Sequence, residues 1–361
     1  MYLHKHMSIS TLAEYGFTKF PAARMPFMAE SVEYFKKHKP YSGLKIVHNN
    51  HLTLSSICKL APLLLSGASL TITVTDSLQA SPDVIEILHE HGVNITKIND
   101  LKDDFDILLD CGAGLANIVH PRIGAIEQTQ SGKVIFEKQN RYPVISVDES
   151  YVKKLETLYG TGDGFKRAFN CLVKEDLAGK KFVVFGYGKV GHGIVRELKK
   201  MQCSPIIIIE MDNEALNRAR LENFQALSIN EDLGSIKKHL KEAFCVITAT
   251  GVPGVVSKYF SRQDISDGYK VNMGTEDEFG ENFLAEDVLA NKKPLNFILE
   301  EPTLVEFLDP IFYAHNAAID LLLTKKFAAG FHSLPLDFDL NILLRWSKFH
   351  KTDVSEIYQF I

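Results

Sequence analysis

The stretch VVFGYGKVGHG carries glycines at positions 186, 188, 191 and 193, and the first three of them have the spacing GxGxxG. An apolar run, KKFVVF, leads in and a helical pattern, GIVRELKK, leads out. In that setting Gly186 permits a tight turn, Gly188 lets the backbone approach a pyrophosphate, and Gly191 allows close packing of helix on strand. Lys189 and Val190 open the helix, whose leading N–H groups face the phosphates. Glu210 closes the next apolar run, PIIIIE, at about the 20-residue distance where a carboxylate meets the adenosine ribose. A carboxylate there accepts from ribose hydroxyls and repels a 2′-phosphate, so NAD is the expected cofactor rather than NADP. The TATG turn, with Thr250 and Gly251, ends a later strand where a loop would run under the nicotinamide-side ribose. Two plainer readings stay open here: glycines that serve packing alone, and TATG as an ordinary strand-to-helix turn. His192, inside the loop, reads as a solvated first-turn residue and is assigned no role.

These residues need a sheet to position them, and the pattern around them supplies one. From Lys180 onward KKFVVFGYG, PIIIIEMD, CVITATG and YKVNMGT alternate with helical stretches, and each is a nearly continuous apolar run, as expected for parallel strands covered on both faces. A similar series starts at Gly43: GLKIVHNN, LSSICKLAPLLLSG, SLTITVTDS, PDVIEILHEHG, VNITKIND and FDILLDCGAG. Between the two lies SYVKKLETLYGTGDGFKRAFNCLVKED, a helical connector without proline. FYAHNAAIDLLLTKK and LNILLRWSKFHK are amphipathic helix candidates near the C-terminus, the second able to return to the first domain. The fold class is therefore α/β, with two Rossmann-like parallel-sheet domains.

The bulk properties agree with a small-molecule site. With 361 residues the chain exceeds one ordinary core. A net charge of -5 gives no footprint for nucleic acid or an anionic membrane. Cys58, Cys111, Cys171, Cys203 and Cys245 are scattered and odd in number, which fits reduced thiols in a cytosolic protein. The N-terminus lacks the basic start and apolar run of a secretory signal, and the apolar runs are too interrupted to span a bilayer. His89 and His91 in LHEHG do not form HExxH, and GTEDEFGEN reads as a solvated acidic loop, so no metal is expected.

Further motifs carry a likeness to one family. RMPFMAESVEYFKKHKPYSGLKIVHNNHLT, LLDCGAGLANIVH, IEQTQSG, DESYVKKLETLYG, DGFKRA, LAGKKFVVFGYGKVGHG, IIIIEMDNEAL, VITATG and KVNMG occur in the order and spacing of the adenosylhomocysteinase (S-adenosylhomocysteine hydrolase) family, which this sequence resembles through most of its length. The resemblance implies a split substrate domain over 1–158, completed by C-terminal helices over 310–361, around an NAD-binding domain over 159–309. It also implies a homo-oligomer, dimer or tetramer, and a tightly held NAD regenerated in each turnover. In the family's chemistry a 3′-hydroxyl is oxidised so that a ketone can stabilise loss of the C4′ proton; the 5′-thiol is then eliminated, water adds and the ketone is reduced. By the same likeness His51 and Thr53 contact a nucleoside, and Thr129 and Asn272 join the cofactor site.

The sequence departs from the family where the chemistry is done. Asp110 is kept, but Cys111 replaces the second Asp of the pair. Glu127 and Thr129 match, but Gln128 stands at the catalytic Glu, and Gln130 and Ser131 replace two threonines that help hold NAD. The family's catalytic Lys aligns with Val152, one residue from Lys153. Glu156 and Thr157 replace an Asp-Asn pair, Thr161 a Cys, Thr275 a His, and Leu308-Asp309-Pro310 a Gly-His-Pro. The family's basic C-terminal tail has no counterpart in a chain ending EIYQFI, so NAD is expected to be exchangeable. Acid and base groups each contribute roughly 10²- to 10⁴-fold, so these changes together should abolish the parent reaction unless other groups replace them. The first expectation is a divergent NAD-dependent enzyme that oxidises a hydroxyl of a nucleoside or other small polar substrate. Its candidate catalytic residues are Lys153, His51, Glu156 and Asp110, with Thr53, Cys111, Gln128, Thr161 and Thr275 lining the pocket. The alternatives are a non-catalytic NAD-binding regulator and an authentic adenosylhomocysteinase with rearranged catalytic groups.

Overall fold

The structure, a computed structural model, describes residues 8–102 and 104–360. Residues 1–7 of the stretch read for a secretory signal, and Ile361 of the stretch compared with the family tail, lie outside the described residues. The chain divides into two compact units, Met1–Lys153 with Val305–Ile361, and Lys154–Leu304. These boundaries fall a few residues before 158 and 310, because the helical segments around those two positions run through them without a break.

Strands β1 (Lys45–Asn49), β2 (Ser69–Thr73), β3 (Ile107–Asp110), β4 (Gly124–Glu127) and β5 (Pro143–Ser146) precede the connector. They are followed by β6 (Phe182–Phe185), β7 (Ile206–Glu210), β8 (Gln225–Ser228), β9 (Cys245–Thr248), β10 (Tyr269–Asn272) and β11 (Gly330–Ser333). The first unit has a parallel sheet in the order β11-β5-β4-β3-β1-β2, and the second a parallel sheet in the order β10-β9-β6-β7-β8. Both are doubly wound: the chain starts on an interior strand, builds outward to one side and then to the other. Such sheets place a crevice at the carboxyl ends of the strands where the winding reverses, between β1 and β3 in one unit and between β6 and β9 in the other.

The runs FVVF and CVIT are buried at every position. Phe182 and Val184 pack into the core on one face of the sheet, Val183 and Phe185 into the core on the other, the two-residue alternation of a strand covered on both sides. In the first unit Val47, Leu108, Ala125 and Val144 form the corresponding layer on one face.

Helices Val305–Thr324 and Leu336–His350 belong to the first unit and are tied to it by buried acids. Asp309 accepts from the N–H groups of Phe27 and Met28, both at 2.9 Å, at the start of helix Pro26–His38. Asp339 does the same for Tyr151 and Val152 at 2.6 and 3.0 Å. The expected alternation is corrected at VNITKIND, which supplies one bridge, Ile95 to Ile72, and a single 3₁₀ turn at Ile98–Asp100 in place of a strand. The connector is helical through Tyr151–Lys154 and Thr161–Leu172, with a π-helical turn at Leu155–Gly160 between them. Among the described residues no helix is long and apolar enough to cross a membrane, and the five cysteines are free.

Candidate cofactor cleft and substrate crevice

In the second unit a cavity of about 310 Å³ opens at the carboxyl ends of β6 and β9, lined among others by Gly186, Gly188, Glu210, Asp212, Arg218 and Thr250. Gly186 has φ +91°, and a Cβ there would lie 2.4 Å from the carbonyl oxygen of Ala249. At Gly191 a Cβ would lie 2.0 Å from the carbonyl oxygen of Gly186. These two glycines are required by the turn itself. Gly188 differs: it is exposed, its φ is an ordinary -75°, and a Cβ would meet nothing within 4 Å. That open space, facing the first turn of helix Lys189–Lys200, is where a pyrophosphate can approach the backbone. Val190 packs on the core behind the loop.

Glu210 is braced before any ligand arrives. Its carboxylate accepts from the N–H groups of Tyr187 (2.7 Å), Met211 (2.7 Å) and Asp212 (3.0 Å). A carboxylate offers roughly four acceptor sites, which leaves one for a ribose hydroxyl. On the opposite side of the cleft Glu278 holds the Thr250–Gly251 turn, accepting from Thr250 N (2.9 Å), Thr250 Oγ1 (2.9 Å) and Gly251 N (2.6 Å). Burial pushes the Glu278 carboxyl above its usual range, against the pull of those hydrogen bonds. Asn272 is buried behind this turn, accepting from Thr248 Oγ1 at 3.0 Å and donating to the carbonyls of Gly274, Glu276 and Lys292. It shapes the loop after β10 from within. The residues present fit a dinucleotide: open backbone at Gly188, a helix start, and a carboxylate with spare capacity.

In the first unit the residues that follow the ends of β1 and β3 gather at the switch point of the sheet, where such folds place their ligand crevice. Asp110 is fully buried and accepts from Asn49 Nδ2 (2.7 Å), Cys111 N (2.9 Å) and Leu115 N (3.0 Å). Burial, with the Glu127 charge beside it, pushes its carboxyl up to about 7. Glu127 accepts from the N–H groups of Gly112, Ala113, Gln128 and Thr129 and from Thr129 Oγ1. The Thr129 hydroxyl also accepts from Gly112 N and caps helix Gln130–Phe136 through Gly132 N. Asp110, Glu127 and Thr129 thus fix the backbone of the CGAG loop.

Cys111 and Gln128 stand on this loop frame. Burial pushes the Cys111 thiol up to about 11, with a contact to Gln128 and the charges of Lys59 and Lys153 pulling the other way. Gln128 Oε1 accepts from the buried Lys59 Nζ at 3.1 Å, and Gln128 Nε2 donates to Asn50 Oδ1 at 3.1 Å. Lys153 is buried near the same thiol, whereas the adjacent Val152 is core. His51 is exposed, and its Nδ1 accepts from Gln79 N at 3.0 Å. Thr53 Oγ1 lies 3.1 Å from Ser55 Oγ.

The structure therefore brings Asp110, Cys111, Gln128 and Lys153 together in the first unit. Glu156, Thr161 and Thr275 belong to the second. There the Thr161 hydroxyl donates to the Glu156 carbonyl at 3.2 Å, and Thr275 is exposed. Sequence reasoning missed Lys59, Asn50 and Glu278. For Lys59 a signal was present: one charge inside the otherwise apolar helix SICKLAPLLL.

Comparison with known proteins gives this geometry its context. Residues 157–290 match the family described as "S-adenosyl-L-homocysteine hydrolase, NAD binding domain". An adenosylhomocysteinase of Sulfurisphaera tokodaii is 31% identical over 283 residues, covering 69% of this chain and 64% of that protein. The chain belongs to the adenosylhomocysteinase family. NAD is the cofactor of the second unit. An adenosylhomocysteinase of Pyrococcus abyssi is 30% identical over 57% of this chain and 55% of its own length. An S-inosyl-L-homocysteine hydrolase of Methanocaldococcus jannaschii is 28% identical over 65% and 61%. The chain thus spans between 55% and 64% of the length of these relatives. A solved structure of the dipicolinate synthase A chain from Bacillus subtilis shares the fold, with a TM-score of 0.51 at 11% identity over 80% of this chain and all of that one.

Proposed function

We propose that this chain is an NAD-dependent oxidoreductase acting on a hydroxyl of a small polar substrate, with nucleosides among the candidates. NAD lies in the cleft of the second unit, and the substrate is held by the crevice of the first. The observation that carries the reading is the cleft itself, with open backbone at Gly188 and a braced carboxylate at Glu210. Bound there, NAD supplies a hydride acceptor.

The chain's own residues handle the charge and the orientation. Because His51 Nδ1 accepts from Gln79 N, the neutral ring carries its hydrogen on Nε2 and donates to a substrate oxygen. Lys153, charged beside Cys111, assists by stabilising the oxyanion as the hydroxyl's proton passes to solvent, and it polarises the ketone that forms. Asp110 acts as a positioning residue, since its oxygens are engaged by the loop backbone and Asn49. Glu156 belongs to the second unit and is given no step. The chain works as a homo-oligomer, a point for sedimentation analysis.

Incubation with NAD and a panel of nucleosides and small hydroxy compounds, followed by NADH absorbance, tests the reading. NADH formation with at least one compound is expected, and none with any member would remove it. A second reading, a non-catalytic NAD-binding regulator, draws on Cys111, Gln128 and Thr275, which replace ionisable groups. It predicts NAD binding with no turnover. Release of homocysteine from adenosylhomocysteine would instead favour an authentic adenosylhomocysteinase with rearranged groups.

A further inference from the structure

The segment GTEDEFGEN is only in part the solvated acidic loop that its composition suggests. Thr275 and Glu276 are exposed, but Glu278 is fully buried with its carboxylate on the Thr250–Gly251 turn. A Cβ at Gly274 would lie 2.1 Å from Glu278 Oε1. The backbone around Glu278 is fastened to the start of helix Val255–Tyr259. There the carbonyls of Asp277, Glu278 and Phe279 accept from the N–H groups of Gly254 (2.8 Å), Val256 (3.0 Å) and Ser257 (3.0 Å). Asp277 Oδ1 accepts from Phe279 N and Gly280 N, both at 3.0 Å. The loop thus holds one buried acid against the turn at the cofactor cleft.

Lys292 holds this loop at a second point. Its Nζ donates to Asp277 Oδ2 at 2.8 Å and to the Gly280 carbonyl at 2.7 Å, and its own carbonyl accepts from Asn272 Nδ2 at 2.6 Å. The backbone that delivers it is unusual. Ala290, Asn291 and Lys292 have φ of +56°, +52° and +66°, directly after the bridge that joins Leu289 to Val271 of β10. Left-handed backbone is unfavourable for residues that carry a Cβ, and it persists where the surroundings over-determine it, often beside a ligand site. The contacts of Lys292 supply that constraint: its carbonyl meets the end of β10 and its ammonium meets the loop that follows.

We propose that Lys292 is a positioning residue for NAD. By fixing the 277–280 loop it sets where the Glu278 carboxylate stands. That carboxylate in turn sets the Thr250–Gly251 turn, whose Thr250 lines the cofactor cavity. Among the described residues Lys292 is not part of the cavity lining, so its influence passes through the loop. The proposal concerns how the cofactor is held and stands whether or not the chain oxidises a hydroxyl.

Calorimetric titration of NAD into the full chain tests this. Lys292→Met removes both side-chain hydrogen bonds and should weaken NAD binding roughly tenfold. Asp277→Asn keeps Oδ1 for Phe279 N and Gly280 N but puts an amide donor where the oxygen met Lys292. It should weaken NAD to a similar degree, and it takes the place of Lys292→Met if that variant does not fold. A variant that is merely less stable binds NAD normally while it is folded, so affinity measured below the unfolding range separates positioning from packing. Because Lys292 acts through Glu278, Lys292→Met combined with Glu278→Ala should bind NAD within about twofold of Glu278→Ala alone. Unchanged NAD affinity in the single variant, or losses that multiply in the double variant, overturns the proposal.

Discussion

Glu278 and Thr250 are joined twice, the carboxylate accepting from both the backbone N–H and the hydroxyl of the threonine at 2.9 Å. Together with Gly251 N, this makes a buried acid the acceptor for a turn that lines the cofactor cleft. Replacing Glu278 by Ala leaves those donors without an acceptor, a loss of about 1–3 kcal/mol for each buried group. NAD affinity should fall roughly tenfold, and unfolding free energy by about 2–3 kcal/mol. Titration calorimetry and urea denaturation read the two effects, and unchanged NAD affinity would detach Glu278 from the site.

Two glycines of one loop should respond oppositely to the same change. A methyl group at Gly188 meets nothing in the protein, whereas one at Gly191 would lie 2.0 Å from the Gly186 carbonyl oxygen. Gly188→Ala should fold with wild-type stability yet bind NAD at least tenfold more weakly. Gly191→Ala should lose about 1–3 kcal/mol of stability, in the range of overpacked sites. If Gly188→Ala bound NAD normally, the pyrophosphate would have to lie elsewhere.

Glu210 is the residue expected to set the preference among nicotinamide cofactors. Glu210→Gln keeps an acceptor for part of the Tyr187–Met211–Asp212 backbone set and removes the charge that repels a 2′-phosphate. Binding of NAD should weaken about tenfold while the gap between NAD and NADP narrows. Competition of the two cofactors in a fluorescence titration measures this, and a gap that stays as wide would place the discrimination on another residue.

The pH dependence of stability follows from buried acids and imidazoles. Burial pushes Asp309 up to about 8 and Asp110 up to about 7. A folded-state pKa above the unfolded value means that the native state binds the extra proton, so stability falls as pH rises toward the folded value. His48 and His315 are lowered and work in the other sense, but only below their unfolded value of about 6.5. Above that the carboxyls act alone. Unfolding free energy should therefore decline by about 2 kcal/mol between pH ~6.5 and ~8, and Asp309→Asn should flatten the slope. Denaturant titrations across that range decide it; a flat or rising wild-type profile contradicts the assignment.

The cofactor half was legible because its signals are local. A strand, a glycine turn, a helix and an acid lie within one short segment, and each constrains the backbone directly. Strands β5, β8 and β11 were not legible, since PVIS, QALS and GFHS are four-residue runs with polar members that gain their identity from pairing. The crevice was half legible. Asp110, Cys111 and Gln128 could be placed through family motifs, but Lys59 reaches Gln128 across 69 residues of chain, a distance that no spacing rule spans. Asp309 shows the same limit, because its role in capping the helix that starts at Pro26 depends on a contact from the far end of the sequence.

The way Glu127 grips the CGAG loop has one more consequence. It accepts almost wholly from main-chain N–H groups, and a Cβ at Gly132 would lie 2.2 Å from its carboxyl carbon, so together with Asp110 and Thr129 it sets the loop's path through backbone common to every residue type. The side chains the loop displays can therefore be exchanged without unravelling what displays them. A scaffold of this kind lets the chemistry of a site change while its shape stays put, a physical reason why side chains such as Cys111 and Gln128 are the replaceable part of the loop.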